Sequence, residues 1–180
     1  HKAYSRKVIN SQYDSYLPMY KRGRRVPLAY FNTLLEKAGV KLMEEEVASL
    51  KIMSGSGKGK LPAILSATSE LGTLLGYISA EGCINREAIR ISNLDESVRK
   101  IIQKSCQQIG VLNYSTLKDI IICDRPFIAL VYALRASGRS GEKHVPEKLF
   151  NFSSQVISAY LQSYFEGDGG IDGAQITATS

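Results

Sequence analysis

The chain carries one nine-residue pattern twice, at residues 74–82 and again at 161–169. The first copy reads LLGYISAEG and the second LQSYFEGDG, with an offset of 87 residues between Glu81 and Asp168. A repeat of this length indicates a duplicated module. Small residues recur at every fourth position around both copies, and such positions share one face of a helix. They are Gly72, Gly76 and Ala80 in the first copy and Ala159, Ser163 and Gly167 in the second. The pattern predicts two helices in close backbone contact.

Acidic side chains stand at the carboxyl ends of both predicted helices, at Glu81, Glu166 and Asp168. A carboxylate there opposes the helix dipole, at a cost of up to about 1 kcal/mol when exposed. If the small faces pack the helices in parallel, Glu81 and Asp168 converge and share either a proton or a cation. Oxygen donors favour a hard ion such as Mg²⁺. Ordinary solvated acids followed by C-cap glycines fit the same spacing.

Basic charge is concentrated in the first third of the chain. Residues 1–60 hold 12 of the 23 Lys and Arg against 5 acids, whereas residues 61–180 are nearly neutral. The densest cluster contains Arg22, Arg24 and Arg25. A lopsided basic segment suits nucleic acid or an acidic membrane surface, and a plain solvated face has the same composition.

The composition is that of a globular protein, 44% hydrophobic and 22% charged. No run of about 18 apolar residues is present and the first residues do not read as a secretory signal, so we expect an intracellular, cytoplasmic protein without a membrane partner. The three cysteines are widely spaced and form no CxxC, which argues against a zinc site or a disulfide framework.

A glycine- and serine-rich segment at residues 54–60 predicts a flexible linker. It does not meet the spacing of a phosphate-binding loop. Residues 1–60 are then a basic linker or accessory DNA-binding segment, and residues 61–180 a core with a first module at 61–152 and the start of a second at 153–180. Periodicity and capping predict helices at 28–38, 44–53, 69–81, 95–109, 126–136 and 155–166, and strands at 88–92 and within 114–123. The first two helices also resemble a helix-turn-helix.

Both nonapeptides resemble the repeated motif of the LAGLIDADG homing endonucleases. Gly76 and Gly82 match motif glycines, and Glu81 and Asp168 stand at the metal-binding acid. The run Lys143-His144-Val145-Pro146 is similar to the Lys-x-Ile/Val-Pro block of endonuclease domains in archaeal-type inteins. The resemblance covers about residues 61–180. It implies an α/β (α+β) fold of αββαββα modules in pseudo-symmetric tandem, with the two motif helices at the centre and a saddle of strands over DNA.

The resemblance also implies a function, the Mg²⁺-dependent hydrolysis of double-stranded DNA at a specific site by the homing endonuclease domain of an intein. The metal site would be formed by Glu81 and Asp168 with Gly167, and Lys143 would offset developing negative charge. The residues expected to contact DNA are Arg86, Arg90 and Ser92 on the strands, and Arg22, Arg24 and Arg25 in the basic segment.

The sequence departs from the family pattern in several places. Glu81 replaces the usual Asp and Ser163 replaces a glycine, both conservatively. Only 11 residues follow Gly169, so we expect an incomplete second module whose sheet is supplied by a complementary chain or by intein splicing domains. The intein splicing blocks are not found. Three other interpretations stay open: a DNA-binding-only regulator or degenerate endonuclease, an RNA-binding maturase, and a dimer whose small faces serve only helix packing.

Overall fold

The two copies of the repeated pattern fold as long α-helices that run side by side. The computed structural model describes residues 25–53, 59–85, 87–136, 145–172 and 175–178. The chain divides into two compact units, His1–Val47 and Ala48–Ser180. Both repeat copies belong to the second unit.

The described part of the first unit is helical. Helix α1 spans Leu28–Ala38 and ends at Gly39, whose φ of 63° lies in the left-handed region that favours glycine. Helix α2 spans Glu44–Ser49 and crosses into the second unit. The helix predicted for residues 44–53 is therefore too long.

Strands replace the predicted helix end and border the predicted linker. Strand β1 (Lys51–Met53) pairs antiparallel with β2 (Lys60–Pro62), with Ile52 opposite Leu61. β-Branched and apolar residues fit this paired, half-buried setting better than the end of an exposed helix. Residues 54–58 lie outside the described residues. Because strands pair on either side of them, the structure divides the chain before this segment, at Ala48. A six-residue helix followed by a strand also departs from a helix-turn-helix.

Helix α3 (Ser69–Glu81) lies at the centre of the second unit. The side chain of Thr68 caps it by accepting a hydrogen bond from the Leu71 N–H at 3.4 Å. Every residue from Leu74 to Ala80 is buried. A helix buried on nearly all sides is typical of an element packed against several others.

A four-stranded antiparallel sheet follows α3. Its strands lie in the order β3 (Gly82–Ile84), β4 (Ile89–Ser92), β6 (Asp119–Ile122) and β5 (Asn113–Ser115). Side chains alternate between the two faces of a strand, so four of the five isoleucines of β4 and β6 share the face that points into the core. They are Ile89, Ile91, Ile120 and Ile122, each at most 1% exposed.

Two further helices complete this half of the unit. Helix α4 (Glu96–Ile109) is capped by Asp95 and ends at Gly110, with a φ of 84°. Helix α5 (Arg125–Ala133) begins after Asp124, whose carboxylate accepts from the Phe127 N–H at 3.3 Å. Both helices were predicted, although α5 ends three residues before its predicted end at residue 136. The order from α3 to α5 is helix, two strands, helix, two strands, helix, which confirms a mixed α+β architecture.

The second half begins in the same way as the first. After a 3₁₀ helix at Glu147–Asn151, helix α6 (Ser154–Asp168) runs directly into β7 (Gly169–Asp172), which pairs antiparallel with β8 (Gln175–Ala178). Strands β3 and β7 start at Gly82 and Gly169, at the same offset as the repeat. The expectation that the second sheet lies wholly outside the chain is wrong, since its first hairpin is present.

Glycines bring α3 and α6 into backbone contact. A Cβ atom added to Gly72 would lie 2.4 Å from the Val156 carbonyl oxygen, and one added to Gly76 would lie 2.4 Å from the Tyr160 carbonyl oxygen. At the other end, a Cβ on Gly167 would lie 2.6 Å from the Cβ of Ala80. The two amino-terminal halves meet each other and so do the two carboxyl ends. The helices are therefore parallel.

The contact positions on α6 differ in one place from the predicted small face. The three atoms nearest to a Cβ on Gly72 belong to Val156 and Tyr160 and none to Ala159. The α6 contacts fall at Val156, Tyr160, Ser163 and Gly167, a spacing of four, three and four residues. Two helices lying side by side touch along a seam with an average period near 3.5, so a strict four-residue row drifts away from it. Among the described helices, none is long and apolar enough to cross a bilayer.

Replacing Gly76 with Ala tests this packing, because the change in the free energy of unfolding has opposite signs for a tightly packed and for an exposed glycine. In an exposed helix, alanine is favoured over glycine by about 1 kcal/mol. At Gly76 the added Cβ would overlap the Tyr160 carbonyl oxygen on the backbone of α6, and relieving this overlap requires the helices to move apart. We therefore expect the free energy of unfolding to fall by about 1–3 kcal/mol. Urea denaturation measures it. The control is exposed Ala129 on α5, where Ala129→Gly should lower stability by about 1 kcal/mol. A more stable Gly76→Ala variant would contradict the contact.

Candidate active site

The carboxyl ends of α3 and α6 carry the acids that the repeat singles out. Helix α3 ends at Glu81 and α6 at Asp168. Gly167 packs against both Ala80 and Glu81, since a Cβ added to it would lie 3.3 Å from the Cγ and from Oε1 of Glu81. Because Gly167 has no side chain, the last turn of α6 packs directly against the Ala80 and Glu81 side chains. The parallel packing therefore brings Glu81 and the end of α6 to the same place.

Gly82 connects the acid to the sheet without a loop. Its φ of −72° is extended rather than left-handed, so it is not a C-cap glycine of the αL kind. A Cβ there would lie 2.3 Å from the Ile78 carbonyl oxygen, which explains the need for glycine. The chain passes from the helix into β3 at this residue, directly after Glu81. Gly82 therefore follows the helix as a C-cap residue in an extended conformation, and close backbone approach rather than a left-handed φ requires a glycine there.

Asn93, at the end of β4, holds the Glu81 carboxylate. Its Nδ2 donates to Glu81 Oε1 at 2.8 Å and to Oε2 at 3.1 Å. Arg99, which is only 8% exposed, holds the backbone at Asn93 in place. It donates to the Asn93 carbonyl at 3.1 Å and to the Thr116 carbonyl at 2.6 Å. Sequence reasoning missed Asn93. The one available signal was a polar residue directly after a strand, which is common in turns.

A second hydrogen-bond network joins α3 to α6 close to the acids. The Tyr77 hydroxyl donates to Glu166 Oε2 across the helix interface, and Gln162 Nε2 donates to Glu166 Oε1 at 2.9 Å. Burial, this hydrogen bond and the charges of Glu166 and Glu81 raise the pKa of Tyr77 well above its ordinary value. Burial also raises the pKa of Tyr160, which lies in the same interface.

The donor set suits a hard divalent cation. Mg²⁺ is commonly held by one or two carboxylates together with water and a substrate phosphate, and it takes oxygen ligands. Across the described ranges, no group of three or more His, Cys, Asp and Glu side chains is arranged to hold a metal. The oxygen ligands present at the two helix ends are the carboxylates of Glu81 and Asp168 and the terminal carbonyl groups.

The outer face of the four-stranded sheet, which points away from the core, carries a charged cluster. Arg90 Nε lies 3.6 Å from Asp119 Oδ2, and Ser92 donates to Asp119 Oδ1 at 2.6 Å. Ser92 and Asp119 are opposite each other on neighbouring strands. Arg90 and Ser92 are exposed as the alternation predicts. Asp119 was not singled out by the sequence, because an acid on a strand reads as an ordinary surface residue.

Several predicted site residues are not brought into this region by the described structure. Lys143, Arg86, Arg22 and Arg24 lie outside the described residues. Arg25 is exposed and belongs to the first unit.

Comparison with known proteins gives two distant relatives. The chain is 23% identical over 163 residues to a DNA polymerase of Methanocaldococcus jannaschii, a match that covers 76% of this chain and 10% of the polymerase. It is 24% identical over 121 residues to the DNA-directed RNA polymerase subunit Rpo1C of the same organism, covering 62% of this chain and 14% of the subunit. The chain thus spans about a tenth and about a seventh of these relatives. No family model matches it.

The buried phenol of Tyr77 predicts a loss of stability in alkali. A group whose pKa is raised in the folded state stabilises the fold fully below the unfolded pKa, and this contribution is lost as the pH rises above it. We therefore expect the free energy of unfolding to fall as the pH rises above about 10, the ordinary tyrosine pKa, and to continue falling up to the raised pKa of the folded state. Urea denaturation at several pH values measures the slope. In Tyr77→Phe the slope should be shallower, and an unchanged slope would contradict the assignment.

Proposed function

We propose that this chain contains the catalytic core of a LAGLIDADG-type homing endonuclease, a site-specific hydrolase of double-stranded DNA that works with Mg²⁺. One observation carries the proposal. Two duplicated helices pack in parallel through glycines, end in acids at the same place, and each continues directly into an antiparallel hairpin. A helix pair built only for packing needs neither the acids nor the identical exits.

The two relatives support an element that has been inserted into longer proteins. A DNA polymerase and an RNA polymerase subunit are different proteins, yet each contains a segment similar to this chain that makes up 10% or 14% of its length. A module found as a minor part of two such proteins suits the endonuclease domain of an intein. The same comparison suits a nucleic-acid partner, because both relatives are named as polymerases of nucleic acids.

The residues of the site divide the work of phosphodiester hydrolysis. Glu81 and Asp168 would hold the cation, and Asn93 orients the Glu81 carboxylate. When bound there, Mg²⁺ supplies Lewis-acid activation of the phosphodiester and stabilises the charge that develops on it. Each acid is followed directly by a hairpin, so DNA lying over the strands would present its backbone to the acids. Lys143 would offset negative charge.

A DNA-binding protein without cleavage activity is the second candidate. It is favoured by the Asn93 amide, which donates to both oxygens of Glu81 and so uses the positions that a cation would take. In this version the acids serve helix packing and the outer face alone contacts DNA.

DNA binding through the outer face should depend on salt and on Arg90. Each phosphate neutralised adds about −0.9 to the slope of log affinity against log salt. We expect Arg90→Ala to weaken binding to duplex DNA, measured by fluorescence anisotropy in Ca²⁺ over a range of salt concentrations. The control is Lys104→Ala, which removes the same charge from exposed α4, on the other side of the sheet. No salt-dependent affinity in the wild type would remove nucleic acid as the partner, and tighter binding to structured intron RNA than to duplex DNA would favour the maturase.

Cleavage separates the two candidate functions. The wild type should nick or linearise members of a supercoiled plasmid library with randomised inserts when Mg²⁺ is added, and cut products can be sequenced. Glu81→Gln and Asp168→Asn should lose at least about 10²-fold of the rate while still binding DNA in Ca²⁺, because a charge-stabilising contribution is removed. If the wild type binds DNA but does not cut it, the second candidate, a DNA-binding protein without cleavage activity, is supported. Equal cutting by the variants would exclude these acids.

A further inference from the structure

The hydrogen bond between Tyr77 and Glu166 lies outside the chemistry assigned above. Tyr77 is fully buried on α3, at 0% exposure, and its hydroxyl reaches the exposed end of α6. Glu166 has both carboxylate oxygens bound, Oε2 by Tyr77 and Oε1 by Gln162. An exposed glutamate at the carboxyl end of a helix opposes the helix dipole and is normally free to move. Here it is held in place by two donors.

The duplicated module does not repeat this pair. At the repeat offset Tyr164 occupies the position of Tyr77, whereas Ser79 occupies the position of Glu166. One copy of the interface therefore has a tyrosine and a carboxylate, and the other has a tyrosine and a serine. Because packing needs are alike in the two copies, the carboxylate is not explained by packing alone.

We propose that Tyr77 and Glu166 are positioning residues for the pair of acids at the helix ends. The inference rests on the proposed cation site at Glu81 and Asp168. Glu166 precedes Gly167, which packs on Ala80 and Glu81, and Asp168 comes next. The cross-helix hydrogen bond fixes the rotation of the last turn of α6 against α3. It thereby sets how Asp168 is presented relative to Glu81.

The surroundings of Tyr77 support this placement. Together with burial, the charges of Glu166 and Glu81 both contribute to the raised pKa of Tyr77. It keeps its proton at neutral pH and therefore acts as the donor. Glycine contacts on either side, at Gly76 and Gly167, set how closely the helices approach, and the hydrogen bond adds a directional contact between them.

The test is metal affinity measured with Mn²⁺, an ion that accepts the same oxygen ligands as Mg²⁺. The protein is titrated with Mn²⁺ and the electron paramagnetic resonance signal of the free ion is followed, with thermal unfolding recorded by circular dichroism. In Tyr77→Phe, which keeps the ring, we expect the binding midpoint to rise by about tenfold or more, as for partners that orient metal ligands. Tyr164→Phe is the matched control and should leave the midpoint unchanged.

Two variants of Glu166 distinguish a positioning role from an effect of its charge and from a general loss of stability. Glu166→Gln keeps an acceptor for Tyr77, so its midpoint should lie closer to the wild type than that of Glu166→Ala. In a Glu166→Ala background, Tyr77→Phe should add nothing, because the pair acts as one unit. A Tyr77→Phe midpoint equal to that of the wild type, or equal shifts in Tyr77→Phe and Tyr164→Phe, would overturn the inference.

The result also distinguishes this inference from the proposed function. If the wild type binds Mn²⁺ no better than Glu81→Gln and Asp168→Asn, the cation site itself fails and the positioning role fails with it. If the wild type binds and the two acid variants do not, the cation site stands. The Tyr77 variants then decide the positioning role alone.

Discussion

The close approach of two parallel helices is the constraint from which the rest of this structure follows. At Gly72 and Gly76 the backbone of α3 meets the backbone of α6 with no room for a methyl group. Backbones this close have only one lateral arrangement that avoids overlap, because protein interiors are packed to nearly crystalline density. The packing of the two helices therefore also determines the positions of the residues at their ends. A loosely packed pair could carry the same acids without bringing them to one place.

Polar contacts at the ends of the helices add what close packing lacks. Asn93 holds Glu81 from the sheet side, and Tyr77 holds Glu166 from the helix side. Both contacts join segments that are far apart in sequence, and both act on carboxylates rather than on neutral groups. Hydrogen bonds to charged groups are stronger than those between neutral partners, which suits them to fixing orientation.

Much of the fold could be predicted because its signals are local. Asp95, Asp124 and Gly110 mark helix ends by their own chemistry. Isoleucines that alternate with polar residues mark β4, and a run of three isoleucines marks β6. The three-residue edge strands β3 and β5 are too short for periodicity to reveal. The helix over residues 44–53 was overextended for a different reason, since only pairing with β2 makes Lys51–Met53 a strand.

The site was harder to predict than the fold. The repeat pointed to Glu81, Asp168 and the contact glycines, because duplication can be read directly from a sequence. It could not point to Asn93 or to the partnership of Tyr77 with Glu166, since those contacts depend on strand length and helix rotation. Around Gly72 the nearest α6 residues are Val156 and Tyr160 rather than Ala159, because packed helices touch along a seam whose period is slightly shorter than four residues.

Because no loop separates Glu81 from β3, the distance from the Glu81 carboxylate to each residue of the strand is fixed by the strand geometry. A strand advances about 3.3 Å per residue, so each outward side chain of the sheet stands at a set number of steps from the carboxylate. A ligand that seats one step out of register on the strands would miss the acid by the same amount. The register in which a ligand binds along the sheet therefore also determines its position relative to the Glu81 carboxylate.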